Sequence, residues 1–119
     1  DSSVITTLIP KISGLIPTCF TAVFPNESVN EEYFAALVSK QIHAKHIKVA
    51  PTIEGFQNEI GNLVYALDAP IWNTSTYAQF KVMELARLNG IKVVLDGQGA
   101  DELFAGYEIF KRTVYLKNS

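Results

Sequence analysis

The most constraining feature of this chain is a short run of almost wholly apolar residues, Ile91–Leu95, interrupted only by Lys92. A run of this kind is typical of a strand in a parallel sheet that helices cover on both faces. An acidic, glycine-containing loop follows it, with the sequence Asp96-Gly97-Gln98-Gly99-Ala100-Asp101-Glu102. In open α/β sheets, ligands bind at the carboxyl ends of the strands. The run and its loop therefore predict an α/β fold with a ligand site at this end of the sheet.

The rest of the chain alternates between helical and strand patterns, as expected for a mainly parallel sheet with crossover helices. Strands are predicted at residues 16–24, 46–50 and 91–95. Five helices are predicted. The first covers residues 2–9 and is closed by Pro10, the second begins at a capping box of Ser28 and Glu31, and the third runs from a Thr52 cap to residue 67. The fourth covers residues 75–88, and the fifth covers residues 101–116 with a break near Gly106. The apolar faces of the two helices that follow Glu31 and Thr52 are predicted at 33, 34, 37, 38 and 42, and at 53, 56, 60, 64 and 67.

A doubly wound sheet has a strand that leads into its first helix, and no strand pattern precedes residue 2. We therefore expect a Rossmann-like layered fold whose first strand is missing from residues 1–119, which form a single partial domain. A sheet of this kind exposes edges and apolar surface, so pairing with another copy of the chain is also an expectation.

Composition excludes several classes of protein. The chain has 119 residues, of which 48% are apolar and 18% charged, with a net charge of −2. This fits one soluble globular domain, and it provides neither a basic surface for nucleic acid nor an apolar run long enough to cross a membrane. Cys19 is the only cysteine, so no internal disulfide can form, and a reduced, cytoplasmic setting is expected.

Two elements carry the chemistry that the sequence offers. In the acidic loop, glycines allow backbone amides to approach a ligand, and carboxylates could share Mg²⁺ with phosphates. The hydroxyls of Asp1-Ser2-Ser3 stand at a predicted helix start, where phosphate is readily held. Taken separately, the acidic loop is explained equally well as a strand-to-helix turn capped by Asp101, and Asp1-Ser2-Ser3 is explained better as a common helix cap.

Together they resemble the C-terminal synthetase domain of asparagine synthases, which belong to the ATP pyrophosphatases with a PP-loop. The resemblance is carried by Asp1-Ser2-Ser3, by the strand Phe20-Thr21-Ala22-Val23-Phe24, and above all by the run from Ile91 through the acidic loop to Leu103-Phe104-Ala105-Gly106-Tyr107. It implies an adenine nucleotide alpha hydrolase-like fold. It also implies a ligase that uses ATP and Mg²⁺ to adenylate a carboxylate, with aspartate as acceptor and ammonia displacing AMP.

The same resemblance implies roles for individual residues. Asp1 and Asp101 would hold Mg²⁺, and Ser2 and Ser3 would hold pyrophosphate oxygens. Ala22 would face the adenine. The remaining residues lie in the acidic loop: Asp96, Gly97 and Gly99 would bind the nucleotide, and Gln98, Asp101 and Glu102 are the candidate catalytic residues.

The sequence departs from the family pattern at two positions, and the first of them leaves the acceptor open. Gln98 replaces the usual Glu, and a neutral amide cannot accept a proton as a carboxylate can. Asp96 replaces the usual Ser. A β-lactam-synthetase-like or other amide-forming enzyme, and a non-catalytic nucleotide-binding remnant, therefore remain alternatives. The glutaminase domain that supplies ammonia in the family is not in this sequence, and the isolated chain is expected not to turn over.

Overall fold

The computed structural model describes residues 1–25, 27–28, 30–107 and 109–110, and within them it contains five helices and two strands. None of the helices in these ranges is long and apolar enough to cross a membrane. In chain order the elements are α1 (Ser2–Ser13), β1 (Cys19–Ala22), α2 (Glu32–Gln41), β2 (His46–Val49), α3 (Ile53–Leu67), α4 (Ser75–Leu88) and α5 (Ala100–Phe104).

The two strands form a parallel sheet, which confirms the predicted α/β class. Cys19 pairs with His46 and Ala22 with Val49, at the two ends of the ladder. The Cys19 amide donates to the carbonyl of Lys45 at 2.8 Å, immediately before β2. A side-chain hydrogen bond of 3.0 Å between His46 Nε2 and Thr21 Oγ1 also joins the strands.

The helices form two pairs around this small sheet. Helix α1 packs on α2, and α3 packs on α4. In addition, α2 and α4 both contact β1. The core is small: Leu63, Tyr77, Ala86 and Val23 are the buried apolar residues of the described part of the chain. The fold is therefore an α/β layer arrangement built on few buried side chains.

Where local signals decide a helix, the sequence predictions are confirmed. Thr52 caps α3, with its hydroxyl accepting a 3.0 Å hydrogen bond from the Gly55 amide. The C-terminal Asp68 of this helix has a left-handed conformation. Helix α4 has the predicted bounds, and Gly90 follows it with a φ of 75°. A left-handed glycine after the last turn is the expected way to end a helix.

Two helix starts and ends differ from the prediction. α1 continues through Pro10 to Ser13, and Gly14, with a φ of 70°, ends it instead. The capping box of Ser28 and Glu31 is wrong, because Glu31 is the N-cap and makes no side-chain cap bond. Asn30 supplies the bond, since its Oδ1 accepts from the amide of Glu32 at 3.2 Å. An amide oxygen close to the helix start replaces the hydroxyl that the pattern suggested.

The predicted apolar faces are wrong in part. In α3, Leu63 is fully buried whereas Ile53 is 80% exposed. In α2, Ser39 is buried while Tyr33 and Phe34 are exposed. Helical periodicity identifies an apolar stripe, but neighbouring elements decide which part of that stripe is covered.

The prediction of a strand at residues 91–95 is also wrong for this structure. The segment lies outside the helices and strands, and Val93 is 77% exposed. A strand exists only when a neighbour satisfies its backbone groups. The only sheet among the described residues is β1–β2, and a cavity separates β1 from this segment.

The predicted helix after Gly99 is shorter than expected. α5 ends at Phe104 because Ala105 takes a left-handed conformation with a φ of 56°. The break predicted near Gly106 is therefore confirmed. Its continuation to residue 116 falls largely on residues 108 and 111–119, which lie outside the described part of the chain.

Candidate functional site

The first part of the site is the start of helix α1. The Asp1 carbonyl accepts hydrogen bonds from the amides of Val4 at 3.0 Å and Ile5 at 3.3 Å, as an N-cap residue does. Its carboxylate makes no cap hydrogen bond. Asp1, Ser2 and Ser3 are all exposed. The capping explanation for the Asp1 side chain is thus not realised, and its carboxylate is available to a ligand.

The second part is the acidic loop between segment 91–95 and α5. The Asp96 carboxylate accepts a 3.1 Å hydrogen bond from the Gln98 amide, which closes a tight turn. The Gly97 carbonyl accepts from the Ala100 amide at 3.2 Å. Gly99 has a φ of 88°, a conformation that glycine adopts without steric cost. These bonds give the loop a defined shape.

The two parts meet at Gly97. A Cβ placed on this glycine would lie 2.7 Å from the Ser2 amide nitrogen, 2.8 Å from Ser2 Oγ and 2.9 Å from Asp1 Cβ. All three distances are shorter than real Cβ contacts. Glycine is therefore required at position 97 for the loop to lie directly against the start of α1, and the fold brings together residues almost a hundred positions apart in sequence.

Two cavities flank this contact. A cavity of about 720 Å³ is lined by five of the predicted site residues: Ser2, Ser3, Ala22, Asp96 and Gln98. A second cavity, of about 420 Å³, is lined by Asp1, Gly97, Gln98 and Gly99. Gln98 lines both. The larger volume lies in the range of small-molecule sites, about 300–1,000 Å³.

Asp101 and Glu102 line neither cavity. A Cβ at Gly106 would collide with Asp101 Oδ1, so the Asp101 carboxylate lies against the backbone at Gly106. Glu102 Oε1 accepts a 3.2 Å hydrogen bond from the Tyr107 hydroxyl. This bond raises the pKa of Tyr107. Both side chains are thus engaged with the turn that follows α5.

The donor chemistry of the site is compatible with Mg²⁺. No group of three or more His, Cys, Asp or Glu side chains suited to a metal occurs in the described part of the chain. Magnesium is commonly held by only one or two carboxylates together with substrate phosphates. Asp1 offers one such carboxylate beside the acidic loop, whereas the carboxylate of Asp101 lies against the backbone at Gly106.

A polar network between α3 and α4 was not foreseen from the sequence. The hydroxyl of the buried Tyr77 donates a 2.6 Å hydrogen bond to Glu59 Oε2, and Lys81 pairs with Glu59 at 3.0 Å and with Glu84. Burial, followed by the bond to Glu59, raises the pKa of Tyr77 to about 12. The helical spacing of Tyr77, Lys81 and Glu84 indicates that these three side chains lie on one face of α4. The network could not be predicted from this spacing alone, because Glu59 lies on another helix.

Comparison with known proteins matches the whole chain to one family. The family model described as asparagine synthase covers residues 1–119. A putative glutamine-hydrolyzing asparagine synthetase of Mycobacterium tuberculosis (strain H37Rv) is 33% identical over 98% of this chain. Glutamine-hydrolyzing asparagine synthetase 1 of Bacillus subtilis (strain 168) is 27% identical over the same share, and the chain spans only 18% of either relative. The amidase chyE of Penicillium rubens is 28% identical over 78% of this chain and 14% of its own length. No solved structure matches the chain with significance.

Proposed function

The chain belongs to the asparagine synthase family, and on this premise we propose that residues 1–119 form part of the synthetase site of an ATP-dependent, amide-forming ligase. The proposed reaction adenylates the side-chain carboxylate of aspartate, releases pyrophosphate, and forms asparagine when ammonia displaces AMP. The ammonia comes from glutamine, hydrolysed by a glutaminase domain elsewhere in a longer polypeptide. The domain is proposed to have the Rossmann-like fold of adenine nucleotide alpha hydrolases, and to act in the cytoplasm.

The observation that carries this proposal is the contact of Gly97 with Asp1 and Ser2. Each element alone is explained by a turn or a cap, but their contact has no such local explanation. It puts the Asp1 side chain and the Ser2 hydroxyl beside Gly97 of the acidic loop, and Ser3 lines the larger cavity together with Asp96 and Gln98. Carboxylates, hydroxyls and amides at a helix start are the groups that a metal-bound polyphosphate requires.

The proposed roles follow the chemistry of each group. Ser2 and Ser3 donate hydrogen bonds to pyrophosphate oxygens, and Asp1 and Asp101 hold Mg²⁺. When bound, Mg²⁺ neutralises negative charge on the phosphates. Ala22 leaves room for the adenine on the wall of the larger cavity.

The acidic loop takes the nucleoside and the acceptor in this proposal. Asp96 accepts from a ribose hydroxyl, while Gly97 and Gly99 keep the backbone close to the nucleotide. Gln98 faces the acceptor. Glu102 supports the catalytic loop through its hydrogen bond with Tyr107. Most of the rate enhancement then comes from positioning and from charge stabilisation.

The decisive experiment follows oxygen between the products. The longest natural polypeptide that carries residues 1–119 is incubated with ATP, Mg²⁺, glutamine and aspartate labelled with oxygen-18 in its side-chain carboxylate. Adenylation transfers one labelled oxygen to AMP, and pyrophosphate and asparagine form in equal amounts. Formation of ADP and phosphate, or AMP without label, contradicts the proposal.

A second candidate is another adenylating amide-former, such as a β-lactam-synthetase-like enzyme. Gln98 favours it, because a neutral amide lines both cavities where the family has a carboxylate. The same labelling experiment with other carboxylic acids in place of aspartate separates the two: transfer of label to AMP from a different acid, and none from aspartate, selects this candidate. Saturable ATP binding without transfer of label from any acid identifies the non-catalytic nucleotide-binding remnant instead.

A further inference from the structure

Helix α4 has two faces that contact different parts of the molecule. One face lines the larger cavity, and its residues are Ser75, Ala78, Gln79, Val82 and Met83. Tyr77, Lys81 and Glu84 lie on the opposite side of the helix, since residues that are three or four positions apart share a face. Any shift of α4 relative to its neighbours therefore changes the wall of the cavity.

The side of α4 that faces away from the cavity is attached to α3 by Tyr77. This residue is 4% exposed, and its ring lies edge-to-face on Phe56, with 5.3 Å between the ring centroids. Its hydroxyl donates a 2.6 Å hydrogen bond to Glu59 Oε2. A Cβ at Gly55 would lie 2.7 Å from the same hydroxyl oxygen, so Tyr77 reaches the backbone in the first turn of α3.

Glu59 is the acceptor that joins this attachment to the rest of α4. Its other carboxylate oxygen accepts from Lys81 Nζ at 3.0 Å, and Lys81 also pairs with Glu84 on its own helix. The hydrogen bond from Tyr77, followed by the one from Lys81, lowers the pKa of Glu59. The carboxylate is therefore ionised at neutral pH, in the form that accepts from both donors at once.

Helix α4 in turn positions residues that are proposed to bind the nucleoside. It contacts β1, which carries Ala22. At its other end, the amide of Ile91 donates to the carbonyl of the buried Ala86 at 3.0 Å, which ties the start of segment 91–95, and hence the approach to Asp96, to the helix. The proposed phosphate-binding residues are instead on α1, which packs on α2.

We propose that Tyr77 is a positioning residue for the nucleoside part of the site, an inference that rests on the proposed function. Its hydrogen bond to Glu59 holds α4 against α3, and α4 holds the cavity wall on which Ala22 and Asp96 lie. Loss of the hydroxyl should therefore weaken binding of the nucleoside and leave binding of pyrophosphate unchanged.

Product inhibition separates these two parts of the site, because AMP carries the nucleoside and pyrophosphate does not. In the longest natural polypeptide that carries residues 1–119, the inhibition constants of AMP and of pyrophosphate are measured for Tyr77→Phe. The constant for AMP should rise about fivefold, the effect of one hydrogen bond, and that for pyrophosphate should stay the same. Tyr65→Phe is the matched control, since Tyr65 is 90% exposed on α3, and it should change neither constant.

The readout distinguishes positioning from a contribution to folding alone. A smaller folded fraction lowers the apparent kcat but changes neither inhibition constant. An unchanged constant for AMP in Tyr77→Phe, or an equal rise in both constants, overturns the inference. If the unsubstituted polypeptide forms no AMP, the proposed function fails and the inference fails with it, whereas normal formation of AMP with unchanged constants overturns the inference alone.

Two variants of Glu59 test whether the hydrogen bond is responsible. Glu59→Gln keeps an oxygen that accepts from the Tyr77 hydroxyl, so the constant for AMP should remain near that of the unsubstituted protein. Glu59→Leu removes the acceptor and should reproduce the rise seen in Tyr77→Phe. Equal constants for AMP in the two Glu59 variants would overturn the assignment to this bond.

Discussion

Gly97 is the residue on which the geometry of the site depends most directly. Its φ is not in the left-handed region, so the reason for glycine is space. The Ser2 amide nitrogen lies 2.7 Å from the position that a Cβ would take. Backbone cannot move aside as the end of a flexible side chain can. A side chain at this position must separate the acidic loop from the start of α1.

The close contact at Gly97 predicts the effect of Gly97→Ala. The substitution should lower the free energy of unfolding of the chain by about 1–3 kcal/mol, as overpacking does. Gly61→Ala is the matched control, because nothing lies within 4 Å of a Cβ there and the residue is inside α3. It should stabilise the chain by about 0.5–1 kcal/mol. Urea unfolding followed by circular dichroism measures both, and equal effects would contradict the close contact at Gly97.

Tyr77 provides a second prediction at the residue scale. Its pKa is raised to about 12 by burial, then by the bond to Glu59, so the folded state binds the phenolic proton more tightly than the unfolded state. The corresponding stability is complete below pH 10, the ordinary value, and is lost as the pH rises towards 12.

We expect Tyr77→Phe to lower the free energy of unfolding by about 1 kcal/mol at neutral pH. The variant should also lack the loss of stability that deprotonation of Tyr77 causes at alkaline pH. The control is Tyr65→Phe, because Tyr65 is 90% exposed. Unfolding free energies measured between pH 8 and pH 12 test the prediction. An unchanged pH profile in the Tyr77 variant would show that the hydroxyl is not held as described.

At the scale of elements, the caps of α3 and α4 make a direct comparison. Thr52 accepts the Gly55 amide at 3.0 Å, whereas Thr74, the N-cap of α4, makes no side-chain cap bond. Asn73 accepts the Thr76 amide instead, at 3.3 Å. Thr52→Ala should therefore cost about 1 kcal/mol and Thr74→Ala clearly less. Thermal unfolding of the two variants decides this, and a larger loss in the Thr74 variant would reverse the assignment of caps.

The elements also show what the sequence could predict. The bounds of α4 were predicted correctly because its signals are local: helical residues from Ser75 and a stop at Asn89-Gly90. Segment 91–95 has equally strong local signals, yet it forms no strand. Its structure depends on a hydrogen-bonding partner, which no local pattern supplies. The buried faces of helices are intermediate between these cases, because the burial of a residue such as Leu63 depends on which neighbouring element covers it.

At the scale of the whole molecule, many apolar side chains remain outside the small core. Trp72 is 91% exposed, and Leu95 and Phe104 lie at 66% and 76%. Single exposed apolar residues are ordinary, but a set of this size is typical of surfaces that contact other parts of a protein. The chain spans 18% of the length of the Mycobacterium tuberculosis relative.

The 119-residue chain is accordingly expected not to complete the reaction alone. Incubation with ATP, Mg²⁺ and aspartate should release pyrophosphate at the rate of a protein-free blank. Addition of ammonia should leave the rate of pyrophosphate release unchanged, because the expected defect lies in the binding and reaction of ATP and not in the supply of nitrogen. Pyrophosphate release above the blank that depends on aspartate would contradict this expectation.

The candidate site was predicted from the sequence as a set of residues, and only the structure supplies their arrangement. The resemblance named Asp1 and the acidic loop together. The sequence could not predict that Gly97 is the point of contact. It also could not predict that the side chains of Asp101 and Glu102 turn towards Gly106 and Tyr107. Both features depend on the direction in which α5 leaves the acidic loop.

Asp1 and Asp101 are proposed to act on one nucleotide, and a double-mutant cycle measures whether they do. In the longest natural polypeptide that carries residues 1–119, kcat/KM for ATP is measured for Asp1→Asn, Asp101→Asn, the double variant, and Asp68→Asn as control. Asp68 ends α3 in a left-handed conformation that asparagine also adopts, so its variant should keep full activity.

In each single variant at Asp1 or Asp101, kcat/KM for ATP should fall by about 100-fold or more. In the double variant kcat/KM should fall little further, because the effects of substituting groups that act as a unit are not additive. Additive losses, within about 0.5 kcal/mol, would mean that the two carboxylates act at separate places and would contradict the account.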